Sequence, residues 1–417
     1  MTSQRTMYRK IKFPHFDAEK IDDIYYNLFR NSSEKFKSEI HDIYFGKFFR
    51  YEYEGKEKYW GNAMGVEASD KQIDYLFQIH DEFDTPLCLT LNSLETPHEL
   101  LDKKELLDQL IDFIGSFYER GLRHCILSSN HIIRSKILHK AFPEMRWENT
   151  VNQRIMDAQT ALDFIFNGYD ILMLDRSLNR NIKELRRIKN AVDYYNEKYK
   201  PDKKVTTCLL VSETCINNCP FKKEHDSVGE KIGAEYFRGL SNLSCDNWRF
   251  TDFGLIPRNG VDIVATDKDM WNKWSELTDC FKFSGRFTQY NQPEGSSPFY
   301  KMCWLFTEHH SVHKLKASFY VPNTDEIVYS DSFGEIIEHN LEPIHTWIHG
   351  HVFSSVPDFR SKIKLIDNAK SIWKTSEGKR LEKILMNCKS QCWDCHECEI
   401  VFKTRKFDSG LQINANH

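Results

Sequence analysis

The chain has 417 residues, too many for one ordinary hydrophobic core, so a large domain with a smaller companion is expected. Its 57 basic and 61 acidic residues leave a formal charge of -4, which gives no global electrostatic reason to expect nucleic acid. No N-terminal apolar run resembles a signal peptide and no stretch approaches the roughly 20 apolar residues that cross a bilayer, so the chain reads as cytoplasmic.

Residues 1–37 are polar and aromatic without clear periodicity and read as an N-terminal extension. Alternation then begins. HDIYFG (His41–Gly46) is a β-rich run, and SDKQIDYLFQIHDEF is a helix with Ser69 and Gln72 at capping-box spacing. PLCLTLN (Pro86–Asn92) precedes the helix ELLDKKELLDQLIDFIGSFYERG, which Gly121 closes. RHCILSSN leads into HIIRSKILHKAF, MRWENTVN into a helix ending near Gly168, and YDILMLD into NIKELRRIKNAVDYYNEKY. VTTCLLVSE (Val205–Glu213), VDIVAT (Val261–Thr266) and CFKFSG (Cys280–Gly285) supply strands six, seven and eight, with DKDMWNKWSEL a helix between the last two.

Eight strand-like runs separated mostly by amphipathic helices predict an α/β fold, a TIM-type (β/α)8 barrel over residues 38–290. A doubly wound open sheet is the rival, but no G-x-G-x-x-G follows the first strand. From about residue 290 the alternation fades. SSPFYKMCWLF, KLKASFYVP and EIVYSDSF look like strands and PDFRSKIKLIDNAKSIWKT looks helical, so residues 291–417 read as a smaller C-terminal α+β region with a cysteine-rich tail.

A barrel carries its chemistry where strands end and βα loops begin. Those ends offer Asn92, Ser129, Asn130, Asn152, Asp175 and Glu213, then the pair in ETCINNCPFKKEH, with Lys282 and Arg286 at the last strand. Glu213 and Asp175 are candidates for proton transfer, and Lys282 and Arg286 for holding an anionic group.

Only Cys88 and Cys125 precede residue 200, and ten further cysteines follow. A reducing compartment argues against structural disulfides, and the asymmetry favours a site over simple packing. Cys215 and Cys219 are three residues apart in a polar loop; Cys388, Cys392, Cys395 and Cys398 form C-x3-C-x2-C-x2-C in the tail. Such spacings let thiolates converge on one centre, which selects zinc or an iron–sulfur cluster. Cys88, Cys125, Cys208, Cys280 and Cys303, in apolar contexts, read as ordinary buried thiols. The histidines His309, His310, His313, His345, His349 and His351 lack the glutamate of an H-E-x-x-H base. CWDCH spells a haem attachment but would need export, and a C-x-x-C redox pair at Cys392 and Cys395 fits less well than ligation. Radical S-adenosylmethionine chemistry would want a third cysteine where Lys222 stands.

ETCINNCPFKKEH after a strand, CDNWRF further on, and DCFKFSGR as a closing strand together resemble the peptidase U32-like family over roughly residues 170–286. The resemblance implies a TIM-type barrel holding a [4Fe–4S] cluster, with Cys215, Cys219 and Cys245 as ligands. It implies oxygen-independent hydroxylation, of ubiquinone precursors or RNA bases, with an electron donor; other relatives degrade collagen. Two departures stand out. The first cysteine pair is more closely spaced than in the hydroxylases, and DKDM replaces a fourth ligand, which Cys392, Cys395 or Cys398 would then supply. The alternatives are a zinc-binding scaffold with a silent barrel and a U32-type peptidase; the substrate, whether small molecule, RNA or peptide, is not specified.

Overall fold

The computed structural model describes residues 11–14, 37, 40–62, 67–211, 274–283, 317–321, 326–330, 363–365, 383, 392–395 and 411–413. Eight strands close into a ring in which every neighbouring pair is parallel. They are β1 (Ile11–Pro14), β2 (Ile40–Gly46), β5 (Leu87–Leu91), β6 (His124–Leu127), β7 (Arg146–Glu148), β8 (Ile171–Met173), β9 (Thr206–Val211) and β10 (Cys280–Phe283). An antiparallel hairpin of β3 (Phe49–Tyr53) and β4 (Lys56–Trp60) follows β2 outside the ring.

The expected α/β barrel is therefore present, with two corrections to its membership. Residues 1–37 are not simply an extension, because Ile11–Pro14 pairs with both β2 and β10 and completes the ring. Val261–Thr266, expected as strand seven, lies outside the described residues, and the ring closes on eight strands that do not include it. VTTCLLVSE is consequently the seventh strand of the ring rather than the sixth.

The helices form for legible reasons. In α1 (Asp70–Phe83) the Ser69 hydroxyl accepts from the Gln72 amide while the Gln72 side chain accepts from the Ser69 amide, the expected capping box. The run from Glu99 to Gly121 is broken at Lys103, whose extended backbone separates α2 (His98–Asp102) from α3 (Lys104–Tyr118). HIIRSKILHKAF is likewise two short helices, α4 (Asn130–Arg134) and α5 (Ile137–Ala141), parted by Lys136 in the left-handed region. Asp157 caps α6 (Ala158–Asn167) and Gly168, at φ 118°, ends it; α7 (Ile182–Tyr199) buries Leu185, Ile188 and Val192. Outward-facing Ile43, Phe45, Leu89, Leu127, Trp147, Leu172, Leu209 and Phe281 share one apolar core with the helix residues Leu76, Phe77, Leu110 and Ile188.

Inside the ring, lines of register descend from the C-terminal ends of the strands toward the N-terminal ends. They run Leu210, Lys282, Lys12, Asp42; then Tyr44, Cys88, His124, Arg146; then Ile126, Glu148, Ile171, Thr206; then Met173, Cys208, Cys280. Strand tilt converts these lines into tiers drawn from alternate strands. Thr90 and Leu210 lie nearest the C-terminal face, and Tyr44, Ile126, Met173 and Lys282 form the tier beneath them. Lys12, Cys88, Glu148 and Cys208 form the middle, and Asp42, His124, Ile171 and Cys280 the lowest.

In the C-terminal region, Ala317–Val321 pairs antiparallel with Glu326–Ser330, within two of the runs read as strands. Ile363–Leu365 pairs with Leu411–Ile413, so the stretch read as helical contains a strand. SSPFYKMCWLF lies outside the described residues.

Candidate functional site

Charge sits where a parallel barrel ordinarily keeps aliphatic side chains. Lys12, Asp42 and Glu148 are each fully buried in the barrel interior. The Lys12 ammonium lies 3.1 Å from Asp42 Oδ2 and also donates to Glu148 Oε2. Burial works to lower the Lys12 pKa, but the two carboxylates more than offset it and hold the group above the ordinary lysine range. Asp42 is held well below the usual carboxylate range because Lys12 and its histidine partners outweigh its own desolvation. The pair is a buried counter-ion set, in which each charge depends on the other.

On the N-terminal side, His41 Nδ1 and His124 Nδ1 approach the same Asp42 oxygen at 2.7 and 2.9 Å, with their rings 5.0 Å apart. Burial pushes the His41 pKa down to about 4 and also lowers that of His124, only partly opposed by Asp42. Below them Arg146 donates to the carbonyls of Lys204 and Asp170 and to Thr206 Oγ1. This end is knitted by side-chain bonds, as the closed base of a barrel should be.

On the C-terminal side stands Lys282. Its Nζ lies 4.2 Å from the centroid of the Tyr44 ring and 3.9 Å from Glu148 Oε1, beyond hydrogen-bond reach. Glu148 Oε1 is buried without a hydrogen-bond partner. Burial lowers the Lys282 pKa; Glu148 opposes this and the neighbouring Lys12 charge adds to it.

The expected site residues are distributed as follows. Lys282 faces the barrel interior, one tier below Thr90 and Leu210. Asp175 caps the 3-10 turn Arg176–Arg180 by accepting from the Ser177 amide, and its other oxygen lies 3.6 Å from Arg154 Nε, so its carboxylate serves local structure. Cys395 is exposed with a free thiol, in the helical turn Cys392–Cys395. Glu213, Cys215, Cys219, Cys245, Arg286 and Cys398 lie outside the described residues, as does Cys388 and as do the histidines from His309 to His351. Among the other mouth residues, Asn130 Oδ1 accepts from Gln153 and the Tyr169 hydroxyl, and Asn152 Oδ1 accepts from Arg176 at 3.4 Å.

Cys88, Cys125, Cys208 and Cys280 are buried as expected. Burial raises the pKa of Cys88, Cys125 and Cys280 and keeps those thiols protonated. Cys208 and Cys280, in register on adjacent strands, bring their sulfurs to 3.5 Å.

Sequence reasoning passed over Lys12, His41, Asp42, His124 and Glu148. The available signal was a charged residue at an inward position of an otherwise apolar strand: Asp42 within HDIYFG and Glu148 within MRWENTVN.

The fold and this interior define an α/β barrel with a charged bore, closed by side-chain bonds at its base and carrying one amine toward its mouth. No protein-family profile matches the chain, and no curated protein matches it. Among solved structures, the U32 peptidase Mk0906 is similar at a TM-score of 0.43 and 12% identity, over 66% of this chain and 92% of that one. A mutant of the trehalulose synthase MutB in complex with Tris is similar at a TM-score of 0.33 and 8% identity, over 76% of this chain and 89% of the other. An inactive double mutant of MutB gives the same score and identity over 89% and 88%. The barrel stands on its own strand pairing rather than on these likenesses. Among the described residues no helix is long and apolar enough to cross a membrane.

Proposed function

We propose that the chain is an iron–sulfur enzyme of the peptidase U32-like type, with redox or oxygen-independent hydroxylation chemistry at the C-terminal mouth of the barrel. The observation that carries this reading is the course of β9. It is a full member of the parallel ring and ends at Val211, only four positions before Cys215 in the sequence. The cysteine loop thus follows directly on a strand end of the face that carries chemistry in barrels.

The donor chemistry fits a [4Fe–4S] cluster. Cys88, Cys125, Cys208 and Cys280 are committed to strand interiors, and burial keeps three of them protonated, which leaves the loop and tail cysteines as thiolate donors. Cys215, Cys219 and Cys245 would hold the cluster, with one of Cys392, Cys395 and Cys398 as a fourth donor; Cys395 is exposed and free to take that role. Such a cluster passes electrons or, with an open iron, acts as a Lewis acid toward an oxygen-bearing group.

The chain's own residues supply the rest. Glu213, two positions past the strand, is the group for proton transfer, while Asp175 holds the neighbouring turn. Arg286, three positions past β10 in the sequence, would offer positive charge to an anionic portion of the substrate. The closed base keeps solvent from entering at the opposite end. A separate zinc site at the tail, with the barrel silent, is favoured only by the exposure of Cys395. Anaerobic purification with iron and acid-labile sulfide analysis tests the reading. About four irons and four sulfides per chain are expected; one zinc and no iron after anaerobic reconstitution would leave the scaffold alternative, and peptide hydrolysis by metal-free protein the peptidase.

A further inference from the structure

Lys282 is the one charged side chain among the described members of the second inward tier from the mouth, below Thr90 and Leu210, and its companions there are Tyr44, Ile126 and Met173. Those three are at most 4% exposed, whereas the Lys282 side chain retains 13%. Lys282 is therefore the charged and most exposed member of that tier. It makes no hydrogen bond, since its two polar approaches are a ring face and a carboxylate oxygen at 3.9 Å.

Glu148 explains why that gap matters. Its Oε2 accepts from Lys12, whose single positive charge is shared with Asp42. Its Oε1 is buried, unpartnered and nearest to Lys282. An anion placed there would meet a carboxylate. A group that accepts bonding from the amine and exchanges protons with the carboxylate would satisfy both.

We propose that Lys282 is a nucleophilic amine that forms an imine with a carbonyl compound entering from the mouth, with Glu148 relaying the protons. The Nζ lone pair bonds to the carbonyl carbon and the C–O π pair moves to oxygen, which takes the proton the amine releases. The carbinolamine nitrogen then gives up its remaining proton, which Glu148 relays to that oxygen, and the oxygen leaves as water as the nitrogen lone pair forms the C=N bond. One amine and one carbonyl give one imine and one water, with no change of oxidation state and no co-reactant. The protonated imine is a cation beside Glu148, so the carboxylate stabilises it electrostatically. Burial and the neighbouring Lys12 charge are the two standard means of keeping a lysine amine unprotonated and reactive. Lys12 itself is excluded as the nucleophile, because two carboxylates hold its proton.

The inference rests on the mouth being the reacting end, and is independent of the metal. The full-length protein, with and without reconstituted metal, is incubated with pyruvate or acetaldehyde and sodium cyanoborohydride near pH 7, and reduced adducts are mapped by peptide mass spectrometry. Lys282 should label faster than the exposed Lys104, since a lowered pKa leaves more free amine at neutral pH. Lys282→Arg should lose this label and keep the surface labelling. Lys282 labelled no faster than Lys104 in wild-type protein overturns the proposal, whether or not the variant folds. Failed trapping in protein that binds iron removes the imine alone; trapping in protein that takes up no iron on anaerobic reconstitution removes the iron–sulfur reading alone.

Discussion

Lys12 shows how much one side chain can carry. It bridges the buried carboxylates of Asp42 and Glu148, and removing it takes from both the cation nearest to them. Lys12→Met should therefore lower unfolding free energy by about 3–5 kcal/mol in urea denaturation; a change under about 1 kcal/mol would mean that the carboxylates are not dependent on it. His41 gives a second residue-scale test. Its pKa falls from near 6.5 in the unfolded chain to about 4 in the fold, so the native state disfavours its proton. The associated stability is fully present above pH 6.5 and is lost as pH falls toward 4, on the order of 3 kcal/mol. Asp42, His124 and Lys12 face the same ring and titrate outside or alongside this window, with Asp42 staying ionised well below it. His41→Asn should flatten the pH dependence of the unfolding midpoint between 4 and 6.5; an unchanged slope would contradict the assignment.

Among the elements, α6 has the most sharply defined end. Gly168 adopts φ 118°, its amide donates to the carbonyls of Phe164 and Ile165, and its own carbonyl accepts from His139 Nε2 at 2.9 Å. A Cβ there would collide with Lys136 Nζ and approach His139. Gly168→Ala should cost about 1–3 kcal/mol, read as a shift in the denaturation midpoint with an unchanged slope. The capping box at Ser69 and this glycine were both legible in the sequence because local bonding rules set them. The breaks at Lys103 and Lys136 were not: neither residue is a helix breaker, and the chain bends there so that short helices can each reach the sheet. β1 escaped for a related reason. IKFP is four residues long, ends in proline and sits in a polar, aromatic stretch, so only its partners β2 and β10 reveal it as a strand. VDIVAT, a longer apolar run, took its place in the count.

For the whole molecule, ring closure determines what faces what. Eight parallel strands with descending register carry Lys282 toward the mouth and His124 and Arg146 toward the base, a division that no local pattern contains. The alternation of strands and helices was enough to anticipate the barrel. The charged bore was not anticipated, because apolar burial is the usual fate of inward positions and the partners of Lys12 lie 30 and 136 residues away in the chain. Cys88, Cys125, Cys208 and Cys280 were anticipated as buried thiols by their apolar contexts alone, and Cys303, read the same way, lies outside the described residues. The most direct test of the account compares anaerobically isolated wild-type protein with the Cys215→Ala, Cys219→Ala double variant by visible absorption and iron content. Wild type should show the broad sulfur-to-iron absorption and the variant should lose both colour and iron while its barrel unfolds at the same denaturant concentration. Equal metal content in the two proteins, or none in either, would contradict the claim that the loop after β9 holds the reactive centre.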